Sequence, residues 1–552
     1  MVANYKEEVA MNDAEFVSAP ALILRSLSCD PARPALTTPD GLRITAGEFA
    51  AATYRLAHEL IARGVTRGTT VSLLTGNTAE ALSARYAAGL AGARVVNLYD
   101  GMSAPVLAEI VTSVDTAVLL VDAERYAGAP ELLALTDVPT VLTLGPGPEA
   151  VSAGPSGTDG SGADGSGADG NGTDGNGTDA IGEDVIAASA HRPAEAPAVR
   201  IGPYDDLSIR HTGGTTGIPK GILSLHGPYR SAFDLPYGPE NGGAPRLLAA
   251  TSLAHLAGVM SDLTLYHGGS VVLQRSFDPG EVLAAIERER ITDLWVLPPL
   301  LYQLLDHPAI ARTDLSSLRR IMYGGCASSP TRIREALKVF GPVLVAAYGM
   351  SEAQNISVLT PQEHDRVGRG GQFSVGRPFP GIDVVIRAAD GSELPTGEPG
   401  EIHVRSANLM AGYWKRPDLT AEVLRDGWLN TGDIGYFDED GYLYLADRLK
   451  DKIIVVGGHV YPSELEDLLL THPAIAQCAV FGVRDAQEAE HVHVAVVPAP
   501  GHHPELEDLR TFVTTEKGRI YAPAALHLLP EIPLTSVGKP DKKKLRDTLA
   551  AA

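Results

Sequence analysis

Between Thr212 and Gly221 the chain reads Thr-Gly-Gly-Thr-Thr-Gly-Ile-Pro-Lys-Gly. Glycine tolerates positive φ, so Gly213, Gly214 and Gly217 let successive backbone N–H groups converge on one anion. The hydroxyls of Thr212, Thr215 and Thr216 and the ammonium of Lys220 add donors suited to phosphate oxygens. No Gly-Lys-Ser/Thr follows the glycines, so this is not the P-loop pattern. A phosphate cradle of another kind is the chemistry these types allow; a Gly/Thr-rich surface loop is the plain alternative.

A second glycine-rich stretch carries no such chemistry. From Ser156 to Asp179 the chain repeats a five-residue unit, SGTDG, SGADG, SGADG, NGTDG, NGTDA, with no apolar residue beyond alanine. Nothing there offsets the entropy of ordering it, so 155–180 reads as a low-complexity, flexible insertion. Gly160 to Gly165 fits GxGxxG, but no strand precedes it and no helix follows. The repeat lacks the large apolar residue and the nine-residue period of calcium-binding β-helices. The triplets at Asn171 and Asn176 would accept glycans only in a secreted chain.

The elements that must position the cradle follow from the apolar pattern. Runs at 69–74, 93–98, 116–122, 270–274 and 293–298 predict strands, and 79–92 and 279–290 predict helices with apolar faces. Their alternation implies βαβ units and a parallel sheet with helices on its faces. After about residue 375, short runs bounded by Gly and Asp predict antiparallel strands with turns. The last hundred residues mix both kinds and end in the polar, Lys-rich PDKKKLRDTL. The expected fold is α/β: a large N-terminal domain with a small β region, then a small, compact α+β C-terminal domain.

With 552 residues the chain is long enough for several domains and large cores. Lys and Arg number 45 against 68 Asp and Glu, a net charge of −23, which disfavours nucleic acid as a partner. Cys29, Cys326 and Cys478 are far apart and form no CxxC pair, which argues against a disulfide scaffold or structural zinc. The N-terminus has no basic-then-apolar order, and Arg85 and Arg94 interrupt the longest apolar stretch. A cytoplasmic protein with no membrane span is the expectation.

The glycine/threonine loop does not stand alone. Tyr348-Gly349-Met350-Ser351-Glu352, GEIHVRSANLMAGYWKRPDLT (400–420), Asn430-Thr431-Gly432-Asp433, Asp447-Arg448-Leu449-Lys450-Asp451, YPSELE (461–466) and PLTSVGK (533–539) follow in order. Together these motifs resemble the adenylate-forming (AMP-binding) superfamily, in particular its acyl-CoA synthetase and aryl-CoA ligase branch. The match spans about 210 to 546.

The resemblance implies roles. Lys539, Thr216, Lys220 and Glu352 would carry the chemistry, with Glu352 the Mg²⁺ ligand. Thr212, Gly213, Gly214, Thr215, Thr216, Gly217, Lys220, Gly324, Gly325, Tyr348, Gly349, Ser351, Asp433, Arg448 and Gly457 would bind ATP and coenzyme A. Within that set Tyr348 offers a face to adenine, Asp433 accepts from the ribose hydroxyls, and Gly457 lines the pantetheine approach. His255, Cys326 and Tyr348 would line the acid pocket, and Lys450 would be the hinge between domains at 1–449 and 450–552. His255 stands where amino-acid-activating relatives carry an Asp for the substrate ammonium. Gly213 departs from a common Ser, Ser351 from a commoner Thr, and Ala446-Asp447 from a common Gly before the Arg. None of these removes a charged catalytic group.

The implied reaction joins an apolar or aromatic carboxylic acid to ATP, releases pyrophosphate and passes the acyl group to the thiol of coenzyme A. An acyl-AMP ligase loading a separate acyl carrier protein is the alternative, and a nucleotide-binding regulator without chemistry is another. The chain stops soon after Lys539, so any carrier is expected to be a separate molecule. Lys542, Lys543 and Lys544 are expected in a solvated polar tail.

Overall fold

Strands covered on both faces must be apolar throughout, and Thr70–Leu74 and Val118–Asp122 are buried along their whole length. The computed structural model describes residues 16–98, 102–146, 182–212, 219–234, 243–369, 372–448, 453–455, 458–484, 490–535 and 538–549. The 155–180 insertion, Gly213, Gly214, Thr215, Thr216, Gly217, Lys450 and Gly457 lie outside the described residues.

Among the described residues two large sheets form the N-terminal domain. An eight-stranded sheet runs from Gly412–Tyr413 through Lys220–Leu225 and Asp206–Thr212 to a parallel set that includes Arg94–Leu98 and Thr70–Leu74. A nine-stranded sheet has a parallel centre that includes Asp293–Val296, Arg320–Gly324 and Leu344–Met350. One core lies between the sheets, where Ile23, Phe49, Leu56, Leu82 and Met260 pack against Leu73, Val95, Leu247 and Val271. The helices that supply it are started by their own sequences. Thr45 and Glu48 form a capping box for Ala46–Ala62, and the Thr78 hydroxyl accepts from Ala81 N for Ala79–Leu90. Outer helices cover the far faces, with Leu283, Leu301 and Ile333 on one side and Leu107, Ile110 and Val111 on the other. The result is helix, sheet, helix, sheet, helix.

The segment after 375 forms the expected antiparallel sheet, with Ile382–Arg387, Gly400–Ser406 and Trp428–Phe437 in succession. Its apolar face, with Ile402, Val404 and Leu443, packs with Ile222, Tyr348, Ile356 and Tyr413. That cluster is where all three sheets meet, and the motif residues border it.

The C-terminal part has its own three-stranded sheet, of Ile475–Arg484, Glu490–Pro498 and Ala525–Leu528, and its own cores. One expectation fails here. Lys542–Leu549 is a helix rather than a loose polar tail, because Leu545 is buried against Phe481 and Ile532 with Leu549 packed beside it. Lys542 is also not part of a free basic face; its Nζ pairs with Glu466 at 2.8 Å. Among the described residues no helix is long and apolar enough to cross a membrane.

Candidate active site

The cradle loop joins two antiparallel strands. Thr212 ends Asp206–Thr212 opposite Lys220, which starts Lys220–Leu225. The outer side of Lys220–Leu225 is taken by Gly412–Tyr413, with Tyr413 opposite Ile222. Lys220 Nζ therefore sits over the Tyr413 ring, 5.0 Å from its centroid. Trp414 N donates to Gly221 O at 2.7 Å and fixes this edge.

Tyr413 connects the lysine to the expected metal ligand. Its hydroxyl donates to Glu352 Oε1 at 3.0 Å. Glu352 is only 8 % exposed, and Met410 N donates to its carbonyl at 2.8 Å. Burial, with the Glu352 charge beside it, pushes the Tyr413 phenol above its ordinary range and keeps it a donor. The sequence reading assigned Tyr413 no role. Its only signal was an aromatic after Gly412 inside a quoted motif.

Ser351 precedes Glu352 in the turn after Leu344–Met350, and Gly349 lies near the end of that strand. A Cβ at Gly349 would come 2.2 Å from Gln354 O, and one at Gly324 would come 2.1 Å from Ala347 O. Only glycine permits these approaches. Gly325 and half-buried Cys326 follow, with Cys326 packed against the core of the nine-stranded sheet. Tyr348 OH donates to Asp433 Oδ2 at 2.8 Å, and both side chains are buried. Asp433 also stands opposite Arg448 in the antiparallel pair that ends the third sheet. The structure thus brings Lys220, Tyr348, Gly349, Ser351, Glu352 and Asp433 to one junction.

His255 precedes the helix Leu256–Tyr266. Burial, then the charges of Arg210 and Lys539, push its imidazole down to about 3, so it is neutral at pH 7. Lys539 comes from the other domain. Thr535 N donates to Lys539 O at 2.7 Å, and Gly538 N to Thr535 O at 2.8 Å. This turn needs Gly538 at φ 80°, and its Cβ position would stand 3.5 Å from Leu297 and Leu300. The turn thus leans on the helix Pro298–Asp306, and the charge of Lys539 acts on His255. Lys543 and Lys544 are exposed on the last helix.

A second joint lies nearby. Asp467, on the helix Pro462–Leu469, comes under the influence of the Ser329 hydroxyl, which caps Pro330–Phe340. Burial, then Glu466, pushes this carboxyl up to about 8; Lys517 and Arg334 pull the other way. Ser463 Oγ donates to Ala446 O at 3.2 Å alongside.

Comparison with known proteins gives the same outline. The AMP-binding enzyme family matches residues 24–414, and the AMP-binding enzyme C-terminal domain matches 464–539. A medium/long-chain-fatty-acid–CoA ligase of Mycobacterium tuberculosis is 32% identical, covering 98% of this chain and 93% of its own. A fatty acid–[acyl-carrier-protein] ligase of Streptomyces coeruleorubidus is 29% identical, covering 94% of each. The solved structure of an amide bond synthetase of Marinactinospora thermotolerans is 36% identical, covers 96% of this chain and 100% of its own, and superposes with a TM-score of 0.81.

Proposed function

The chain belongs to the AMP-binding enzyme family, and from that premise we propose that it activates a carboxylic acid with ATP and transfers the acyl group to a thiol. The acid becomes acyl-AMP, pyrophosphate leaves, and the thiol of coenzyme A takes the acyl group. The observation that carries this is the meeting of Lys220, Tyr413 and Glu352 beside the Tyr348–Asp433 pair, with Lys539 reaching toward His255 from the other domain.

The roles are those that the family resemblance implies. The 212–217 loop and Lys220 cradle the phosphates, Ser351 adds a hydroxyl, Tyr348 faces adenine, and Asp433 with Arg448 serves the ribose side. Mg²⁺ fits at Glu352. Tyr413 holds Oε1, and among the described residues no donor is recorded on Oε2. Nor do the described residues contain a group of three or more His, Cys, Asp or Glu side chains able to hold a metal. A single carboxylate completed by phosphate oxygens is a common way to hold this ion. Bound there, Mg²⁺ would neutralise phosphate charge as the carboxylate attacks. Lys539 stabilises the charge that develops at the α-phosphorus. His255 and Cys326 line the acid pocket. Neutral His255, on which the charges of Arg210 and Lys539 act, offers no counter-charge to a substrate ammonium, so free α-amino acids are disfavoured. Lys450 is the hinge between domains at 1–449 and 450–552, Gly457 lines the thiol approach, and the protein works in the cytoplasm.

The acceptor has two further readings, each resting on a relative of nearly full length: a carrier-protein thiol and an amine. Pyrophosphate release should be measured over a panel of acids, with coenzyme A, a holo acyl carrier protein or an amine, and products read by mass. Acid-dependent release with acyl-CoA as the main product is the expected result. Release with no acid at all would remove the reading.

A further inference from the structure

Several half-buried or buried arginines among the described residues are paired with a carboxylate. Arg94 binds Asp206, Arg246 binds Glu289, Arg320 binds Asp293 and Arg332 binds Asp306. Arg210 is the exception that matters. It is half-buried on Asp206–Thr212, two residues before the cradle, and among the described residues no carboxylate pairs with it. A guanidinium withdrawn from water without an anion is unfavourable. Such a charge is retained where a ligand supplies the partner.

Strand alternation gives its direction. Ile209 packs outward with Leu107 and Ile110, so Arg210 lies on the opposite face of the sheet. Its cross-strand neighbour is Ile222, which packs with Tyr348 and Tyr413 at the junction of the three sheets. Its charge acts on two groups, His255 and Tyr229. These mark two depths. His255, which Lys539 also reaches, begins Leu256–Tyr266. Tyr229 donates to Asp262 Oδ2 at 2.5 Å, and Asp262 stands two turns further along that helix, about 10 Å at 1.5 Å per residue. The charge of Arg210 is therefore felt at both ends of that stretch, whereas that of Lys539 is felt at His255.

The interior end is already satisfied. Asp262 also accepts from Tyr86 at 2.6 Å and from Arg85, so it has no claim on Arg210. What remains is a polar, cationic wall where a plain alkyl chain would leave the guanidinium without a partner.

We propose that Arg210 is a specificity-determining residue that binds an oxygen of the acid substrate beyond its reacting carboxylate. The preferred acid then carries a second acceptor, a carboxylate or a ring oxygen. This deepens the proposed function and rests on it.

The test uses the full chain with ATP–pyrophosphate exchange on paired acids: octanoate against octanedioate, and cinnamate against 4-hydroxycinnamate. The wild type should favour the oxygen-bearing member of at least one pair. Arg210→Met should lower kcat/KM for that member by about 10- to 100-fold, the range of a hydrogen bond to a charged group, and leave the plain member within about twofold. Arg210→Lys should restore part of the preference. The melting temperature of Arg210→Met should equal or exceed that of the wild type, because an unpaired cation is removed. Equal loss on both members, no preference in the wild type, or a preference that survives Arg210→Met would each overturn the proposal. Absence of exchange with every acid in the wild type would instead defeat the proposed activation reaction.

Discussion

Glu352 and Lys539, both assigned above to the proposed reaction, are held in opposite ways. Glu352 is buried at the meeting of three sheets, tied by Tyr413 OH and by Met410 N, with Ile356, Ile402 and Val404 packed around its neighbours. Lys539 rides on a turn of another domain that leans on Leu297 and Leu300. Beside it the joint is made by Ser463 to Ala446, with the buried Asp467 carboxyl alongside. The first arrangement is preorganised and changes only if the fold does. The second is docked, and its hold depends on solution conditions. In the proposed reaction, binding and charge neutralisation would thus fall to the buried part, and commitment to the docked one.

The most damaging change should fall on the docked side. A cation at ~4 Å from developing charge is worth about 4 kcal/mol at an effective dielectric of 20, roughly a thousandfold in rate. Lys539→Ala should slow acyl-AMP formation by about that factor in a single-turnover assay and spare thioester formation from supplied acyl-AMP. Lys543→Ala, on the exposed face of the last helix, should change neither. Equal effects of the two substitutions would erase the distinction between the regions.

The pH dependence of docking comes next. In this arrangement the Asp467 carboxyl is held up to about 8 by burial and Glu466; in water it would titrate near 3.9, a typical value for Asp. The docked form therefore binds the extra proton. Docking weakens as pH rises above about 4, by at most about tenfold per unit, and the loss is complete above about pH 8. The ratio of acyl-AMP formation to thioester formation should fall between pH 6 and 8 in the wild type and stay flat in Asp467→Asn. A wild-type ratio that rises with pH would reverse the assignment.

On the rigid side, Tyr413→Phe should raise the Mg²⁺ concentration needed for half-maximal pyrophosphate release by about tenfold, the scale of one charge-assisted hydrogen bond. It should leave the pH profile of docking unchanged. The smallest effect belongs to the repeat. Its neighbouring strands are already paired, Thr140–Leu144 with Glu183–Asp184, and closure changes by only ~0.6 kcal/mol per doubling of loop length. Replacing 156–179 by a few Gly and Ser residues should leave the melting temperature and turnover within error.

The preorganised region was far more legible in the sequence than the docked one. The strands at 70–74, 118–122 and 293–296 announce themselves by apolar runs, while the motif around Tyr348 and Glu352 ends the strand Leu344–Met350 and Asp433 lies within Trp428–Phe437. Tyr413 escaped because it gains its role from pairing with a strand almost two hundred residues earlier. Asp467 reads as one more acid in YPSELEDLLL until Ser329 closes over it. Arg210 looks like a polar interruption of a strand, and only the register with Ile222 turns it inward. In PDKKKLRDTL the two leucines four residues apart were too thin a stripe to betray a helix. Local pattern carries local structure; long-range placement carries these roles.

Gly412–Tyr413 has a consequence for how the chain is made. It closes the edge of a sheet whose other strands end by Leu225. During synthesis Lys220–Leu225 must wait as an open strand, with backbone donors and acceptors unpaired, until residue 413 has left the ribosome. Contacts of such sequence separation form slowly. The strand that covers this aggregation-prone edge also brings the tyrosine that holds Glu352, so protection from misassembly and the placing of that carboxylate arrive in the same folding step.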